Sequence, residues 1–502
     1  MTALEEQLTR QLQECRAALA ASQRENALLR QKVELLIKRI FGSSSEQLDR
    51  GQLELLLNPS STPELPFTPP RPVRPSSSPR ARGPRLPENL LVVEEVIDPE
   101  PVKEAPQAWR CIGQEVSEQL DYEPARFLRR RLIRRRFVRR QSPELPPLIA
   151  PLPNRLLERG IAAPGLLAQV IVSKYCDHMP LYRQEQIYAR RHGVELPRQT
   201  LARWVGLAAD WLRPVYEQIR TGVMAGGYIQ VDETPIEYLE PGNGRTRQGY
   251  LWVCSAPGAD VVFHWQTSRA AGCLENIIPV DFAGVLQCDG YNAYAAFAGR
   301  RTGIKLAGCW AHVRRKFFDA LEPSPRAAGW WMGQMQNLYA IEARLRRQKA
   351  SPRTRQIIRA QESRPIVERI HRALVALKLA RRHLPQSLMG RAIDYTLGLW
   401  PALQEYLVDG RLEIDNNLVE NAIRPTAVGK KNWLFIGEAE AGDRGAILYT
   451  LIECCRRRGL DPYGYLRDVL SRLPDMTNRQ VHQVTPAAWS KAQVQVPLKA
   501  AS

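Results

Sequence analysis

Two aspartates and a glutamate, far apart in the chain, stand where an α/β protein could bring them together. Asp232 follows the apolar run 228–231, and Asp289 follows the run 285–288. In an open sheet, side chains at strand ends along one edge converge. Two acids at neighbouring strand ends make a hard oxygen site of the kind that takes Mg²⁺ or Mn²⁺. Glu420 lies in the window LEIDNNLVENAIRPTAVGKKNWLFIGEAEAGDR, residues 412–444, and would complete the site from a helix crossing that edge. Three carboxylates can hold two such ions roughly 3.5–4 Å apart, which suits in-line attack on a phosphodiester by a water or a 3′-hydroxyl without a covalent enzyme intermediate. Each acid also has a plainer role open to it. Asp232 could cap the turn before Thr234 and Pro235, and Asp289 could sit in an Asp-Gly turn before Tyr291. Asn417 followed by Glu420 is a capping box. Asn416, Glu420 and Arg424 are spaced to share one helix face. Glu413 and Asp415 are rivals for the third acid, with Asp415 well placed to cap a helix that starts near Asn416. Lys430 and Lys431 read as a basic strand behind that helix.

The elements that must position these acids show in the hydrophobic periodicity. From Gly227 the period is two. GYIQVDETPIEYL, RQGYLWVCSA and DVVFHWQTSR read as three strands separated by the turn signals EPGNGRT and APGAD, hence an antiparallel meander. A short helix (AGCLENII), the strand ending at Asp289, and a strand running into a basic helix (IKLAGCWAHVRRKFFDAL) follow. That order suits an α/β catalytic core of ribonuclease-H-like topology. The core is expected over residues 221–450, with a helical insertion at 324–409 rich in Arg, Leu and Ala. Two further helices, joined at Gly459-Leu460-Asp461-Pro462, are expected over 451–490, with the chain loose from about Asn478.

The N-terminal part reads as a set of accessory modules. A net charge of +19 over 502 residues points to a polyanion, and nucleic acid is the usual one. Nine cysteines without a CxxC pair argue against a disulfide framework and against a four-cysteine zinc site. The N-terminus reads as a polar helix rather than a signal peptide, and no apolar run reaches spanning length, so a soluble cytoplasmic protein is expected. Residues 1–50 carry heptads, with Leu12, Leu19, Asn26, Val33 and Ile40 at one core position and Leu8, Cys15, Ser22, Leu29 and Leu36 at the other. They predict a parallel coiled coil, and with it a homodimer or a larger synaptic oligomer. Residues 51–107 read as a Pro-rich linker, since thirteen prolines between Asn58 and Pro106 argue against continuous helix or sheet. Residues 108–150 form a basic module. Its nine arginines between Arg126 and Arg140 are interleaved with Phe127, Leu132, Ile133, Phe137 and Val138. This predicts strands that offer Arg129, Arg130, Arg131, Arg134, Arg135 and Arg136 to DNA phosphates. Residues 155–220 are helical. A helix from Gln184 to His192 ends at Gly193, and a second starts near Pro197 with Arg198 and Arg203 in its first turns, a helix-turn-helix layout for DNA. Arg314, Arg315, Arg424, Lys430 and Lys431 are further candidate DNA contacts.

Several of these segments are specific. VDETPI, CDGYNAY, GCWAHVRRKF and EIDNNLVENAIRPTAVGKKNWLFIGEAEAGDRGA, with FGSSSEQLD after the heptads and EVSEQLDYEPARF in the basic module, resemble the insertion-sequence-66 family of DDE transposases. The resemblance covers nearly the whole chain apart from the Pro-rich linker. It implies that Asp232, Asp289 and Glu420 are the catalytic triad and also the metal ligands, with Mg²⁺ (or Mn²⁺) as cofactor. It implies a transposase that cuts and joins DNA strands at the ends of an insertion element. Cys309, His312, Arg314 and Arg315 match a family signature, read here as a strand end delivering a basic helix to DNA with His312 structural. One segment departs from the family. Before EVSEQLDY the family carries paired cysteines that look like a zinc finger, whereas here only Cys111 remains and arginines replace the second pair. Zinc is not expected there, and the module would bind DNA by charge. Two other function classes compete: a dimeric DNA-binding regulator with an inert core of the same fold, and a structure-specific nuclease. The full set of three acids with basic residues around them favours an enzyme, and the coiled coil and basic modules favour a synaptic complex.

Overall fold

A computed structural model describes residues 90–495 apart from 124, 125, 158, 159, 241 and 243, so the heptads of residues 4–41 lie outside the described residues. The first sheet holds β1 (Leu91–Ile97), β2 (Trp109–Glu123), β3 (Arg126–Arg139) and β4 (Leu148–Ile149), in the order β1-β3-β2 with β4 also on β3. Strand β1 corrects the expectation of a linker unbroken to residue 107. LVVEEVI holds no proline and is largely β-branched, which favours strand. It pairs in parallel with β3, from Leu91 opposite Leu128 to Ile97 opposite Arg134. The prolines stand outside this paired run. Those at 99 and 101 flank the start of a short helix, Glu100–Glu104, where a missing N–H has no partner to lose.

Helices α1 (Pro164–Tyr175), α2 (Leu181–His192) and α3 (Arg198–Ala225) follow. Gly193, at φ 64°, closes α2 in the left-handed region. Helix α3 begins where the sequence placed it but runs for 28 residues. Leu201, Trp204, Ala208, Leu212, Val215, Ile219 and Val223 form its buried stripe.

The second sheet is built from β5 (Tyr228–Leu239), β6 (Thr246–Ser255), β7 (Val261–Gln266), β8 (Gly284–Gln287) and β9 (Ile304–Ala307), in the order β7-β6-β5-β8-β9. The first three are antiparallel, and β8 and β9 join in parallel. Strands β5 and β8 start against each other: a Cβ on Gly284 (φ 148°) would lie 2.0 Å from the Gly227 carbonyl oxygen. Only glycine fits there.

After β9 come α4 (Trp310–Asp319) and five more helices: α5 (Pro325–Arg347), α6 (Pro352–Ile358), α7 (Arg364–Leu379), α8 (Leu388–Gly398) and α9 (Trp400–Val408). They share a core of their own around Trp310, Phe317, Trp331, Leu338, Ile370 and Tyr406. Between α6 and α7 a π-helical turn carries Arg359, which is fully buried. Its guanidinium donates to both carboxylate oxygens of the equally buried Glu342, at 2.7 and 2.8 Å. It also donates to the carbonyls of Tyr406 (2.7 Å) and Leu412 (2.9 Å). This arginine therefore fixes the path by which the chain leaves the helical insertion.

The returning chain is then clamped to the second sheet. Gln230 Nε2 donates to the Asp415 carbonyl (2.9 Å), and Gln287 Nε2 donates to the Glu413 carbonyl (2.8 Å). The Glu413 N–H donates to the Tyr228 hydroxyl (2.9 Å), which itself donates to Gln287 Oε1 (2.6 Å). Helix α10 (Asn417–Trp433) starts immediately afterwards, followed by β10 (Phe435–Ile436) in parallel on β5, then α11 (Ala439–Arg457) and α12 (Pro462–Arg472). Lys430 and Lys431 fall in the last turn of α10, not in a strand: helical bonding continues to Leu434, whose φ of 63° ends it. Residues 479–495 are also ordered, against expectation. Val484 is buried, and in α13 (Pro486–Gln495) Trp489 packs edge-on against Tyr465 and donates to Asp468 at 2.8 Å.

Two substitutions test these supports. Arg359→Met leaves the buried Glu342 carboxylate with Arg355 alone, at 3.2 Å, and is expected to destabilise by about 2–4 kcal/mol. Adding Glu342→Gln should restore part of that loss in a thermal melt, and a double variant no more stable than the single one would contradict the pairing. Gln287→Leu orphans the Glu413 carbonyl, at about 1–3 kcal/mol. Amide exchange over residues 413–421 should then speed up while β7 stays protected, and equal exchange in both segments would refute the clamp.

Candidate active site

The sheet register puts the two aspartates at one level. Gln230 on β5 is paired with Gln287 on β8, where the parallel pairing ends. Asp232 and Asp289 each stand two residues further on, which by strand alternation returns Asp232 to the face of Gln230. Asp232 is not at a strand end as the sequence suggested, because β5 continues along β6, where Asp232 opposes Val253. It is the β8 side of β5 that opens at this point. One oxygen of Asp232 accepts the Glu233 N–H and one oxygen of Asp289 accepts the Tyr291 N–H, both at 2.9 Å. Burial pushes Asp232 up to about 8, and the charges of Glu233, Glu420 and Asp289 push the same way. Asp232 therefore feels both of the other expected acids across the edge.

Glu420 sits one turn into α10, its N–H bonded to the Asn416 carbonyl (3.2 Å). Both rivals are otherwise engaged. Asp415 accepts the Asn417 N–H (3.2 Å) and the Asn417 side-chain amide (2.9 Å), and Glu413 pairs with Arg355 (2.9 Å) and Arg346 (3.3 Å). The capping box does not form: the N-cap is Asn416, without a side-chain cap bond. The expected stripe runs from interior to surface, with Asn416 fully buried, Glu420 half-buried and Arg424 exposed. Neither polar side-chain atom of Asn416 has a hydrogen-bond partner among the described residues.

Glu420 also has a neighbour on α4. Its Oε1 lies 3.8 Å from His312 Nδ1. Among the described residues, one trio of His, Cys, Asp or Glu has ligand atoms within 4.8 Å of one another, namely Cys309, His312 and Glu420.

Glu233 went unnoticed in the sequence. Its carboxylate is buried, paired with Arg269 Nη2 at 2.5 Å and bonded by the Tyr294 hydroxyl. The Arg269 guanidinium lies 3.9 Å from the centre of the Tyr291 ring. Burial raises the Glu233 pKa, and Tyr294 and Arg269 oppose it. The only sequence signal was an arginine just past the third strand, in QTSR.

The basic residues divide into two classes. All six arginines assigned to phosphates in the basic module are ion-paired to acids of their own sheet or just beyond it. Arg129 and Arg131 meet Glu118 (2.8 and 2.9 Å), and Arg131 also meets Glu94 (3.0 Å). Arg130 meets Asp121, Arg134 and Arg136 meet Glu115, and Arg135 meets Asp98. These acids come from β2, β1 and the residue after β1, so the balance is invisible in the run itself. Lys430 is also engaged: it donates to the Pro235 carbonyl at 3.0 Å and ties α10 to β5. Burial and Lys431 lower its pKa. Arg198 and Arg203 on α3, Arg314 and Arg315 on α4, and Arg424 and Lys431 on α10 are exposed. Cys111 is exposed and free. Among the described residues, no helix is long and apolar enough to cross a membrane.

The family described as "Transposase IS66 family" matches residues 159–444, its "IS66 C-terminal element" matches 450–487, and "Transposase C of IS166 homeodomain" matches 28–94. An uncharacterized protein y4jD of Sinorhizobium fredii (strain NBRC 101917 / NGR234) is 35% identical, over 93% of this chain and 95% of its own length. Another from the same strain, y4qI, is 35% identical over 80% of this chain and 76% of its own. The chain belongs to the IS66 family of transposases.

Proposed function

We propose that the chain cleaves DNA and transfers strands at the ends of an insertion element, in a divalent-metal-dependent reaction on a ribonuclease-H-like core. The observation that carries this reading is the placement of the acids. Asp232 and Asp289 stand at one level beyond the paired Gln230 and Gln287, and Glu420 rides on the helix clamped over them. The strand order, antiparallel through β7-β6-β5 and parallel through β8 and β9, supports the topology.

The residues fit a hard cation. Burial and three neighbouring carboxylates hold Asp232 up at about 8, a charge imbalance that a cation relieves, and carboxylate oxygens suit Mg²⁺ or Mn²⁺. Asp232, Asp289 and Glu420 would hold it. When bound, such ions make a water or 3′-hydroxyl a better nucleophile and offset charge on the leaving oxygen. The chain's own residues do the positioning. Tyr228, Gln230 and Gln287 hold the start of α10, Lys430 holds its end, and the Glu233–Arg269 pair braces the strand that carries Asp232. Arg314, Arg315, Arg424 and Lys431 are placed for backbone phosphates, which orient DNA without reading sequence. The exposed Arg198 and Arg203, on the second helix of a helix–glycine–helix layout, are assigned to a DNA groove. The balanced charge of the first sheet gives its arginines a minor share of phosphate binding. Two copies paired through residues 4–41 would hold two element ends together.

Strand cleavage of a labelled element end tests the acids. Glu420→Gln should keep fold and DNA binding yet lower Mg²⁺-dependent cleavage by at least a hundredfold. Asp415→Asn should be mild, because Asn caps a helix about as well. Active Glu420→Gln with dead Asp415→Asn would make Asp415 the third ligand. A thermal melt tests the cation site. The folded pKa of Asp232 stands above the ordinary aspartate value near 4, so its stabilising contribution is full below about pH 4 and lost by about pH 8. At pH 8 without divalent ions, Asp232→Asn should melt higher than wild type. Mg²⁺ should raise the wild-type melting temperature and leave the variant almost unmoved. Equal Mg²⁺ shifts in both would remove Asp232 from the site.

A further inference from the structure

We propose that Cys309, His312 and Glu420 form a binding site for a Zn²⁺-class transition-metal ion, and that an ion seated there draws Glu420 away from Asp232 and Asp289. The site is built from two helix starts. Cys309 is the N-cap residue of α4 and His312 lies one turn in, so the two side chains share one face. Glu420 enters from the first turn of α10. The three ligand atoms lie within 4.8 Å of one another, and His312 Nδ1 and Glu420 Oε1 are 3.8 Å apart. A tetrahedral ion with bonds of roughly 2.0–2.3 Å holds its ligands roughly 3.3–3.7 Å apart, so closing on an ion needs shifts of about an ångström or less.

Independent observations point into this space. His312 Nδ1 is buried and has no hydrogen-bond partner among the described residues. The fully buried Asn416, whose amide is likewise unpartnered, begins the turn that carries Glu420. The donor set is the second argument. One sulfur, one imidazole nitrogen and one carboxylate oxygen suit Zn²⁺ or Co²⁺, whereas the carboxylates of the aspartate edge suit Mg²⁺. Three protein ligands leave a fourth position open for water. On seating the ion, the Cys309 thiol gives its proton to solvent and the sulfur becomes the ligand. Binding stands on this geometry alone. The consequence rests on the proposed function, since Glu420 can serve only one of the two groups at a time.

The test uses the full chain carrying Cys111→Ser, which removes the exposed thiol, with Co²⁺ as the probe. Near-ultraviolet sulfur-to-cobalt absorption should appear and saturate at one equivalent. It should persist in Asp232→Asn, vanish in Cys309→Ser, and require at least tenfold more Co²⁺ in His312→Gln. Absence of the band, or an unchanged titration in His312→Gln, overturns the site. His312 is partly exposed, so that variant decides even where Cys309→Ser fails to fold. Zn²⁺ should also inhibit Mg²⁺-dependent nicking, and His312→Gln should need at least tenfold more Zn²⁺ for the same fractional loss. A normal cobalt titration with no zinc inhibition would overturn the competition for Glu420. Absence of nicking under every metal condition would count against the proposed function and leave the cobalt result standing.

Discussion

Everything at the aspartate edge depends on a small group of buried hydrogen bonds between the second sheet and a strip of returning chain. The side chains of Gln230 and Gln287 are fully buried, and their amide N–H groups find the carbonyls of Asp415 and Glu413. A buried amide or carbonyl left unpaired is expensive, so this contact forms as a unit or not at all. The apolar anchors Leu412 and Ile414 alternate with the clamped residues and are fully buried. The strip thus has one register on the sheet, and a helix starting three residues later inherits it.

The same constraint explains how a long helical insertion can interrupt an α/β core without loosening it. The insertion closes around its own apolar centre, and Arg359 gathers the carbonyls at its exit into one cationic knot. An arginine suits this role because its planar fork serves a carboxylate and several carbonyls at once. The insertion is also joined to the sheet at its entry. Gly308 donates to the Ala402 carbonyl and Trp310 to the Ile414 carbonyl. Entry and exit are therefore tied to each other as well as to the core.

Much of this could be read from the sequence, and the failures have a common cause. Alternating apolar residues marked the strands, and Asp232, Asp289 and Glu420 could be picked out because each follows or opens a recognisable element. Helix α2 and its closing Gly193 were legible for the same reason: a glycine after a periodic run is local information. What escaped was pairing across distance. The arginine run of β3 looked like free charge because its acids lie on β2, on β1 and just after β1. LVVEEVI looked like linker because the surrounding prolines outweighed seven residues. Gln230, Gln287 and Glu233 look like ordinary strand residues until their partners, far along the chain, are in place. The basic pair at 430–431 shows a subtler limit, since its helix ends on a leucine in a backbone conformation that its side chain gives no hint of.

Helix α3 has a mechanical meaning as well as a packing one. Twenty-eight residues at 1.5 Å each make a helix about 42 Å long along its path, with Pro214 inside it. One end is the exposed corner with Arg198 and Arg203, and the other turns through two glycines directly into the strand that carries Asp232. A helix does not stretch, so under the proposed function a duplex held at the far corner would be measured against the aspartate edge. About 42 Å corresponds to about twelve base pairs of B-form DNA. On that proposal the helix is a molecular ruler: it would convert where the protein grips into how far from the grip it cuts.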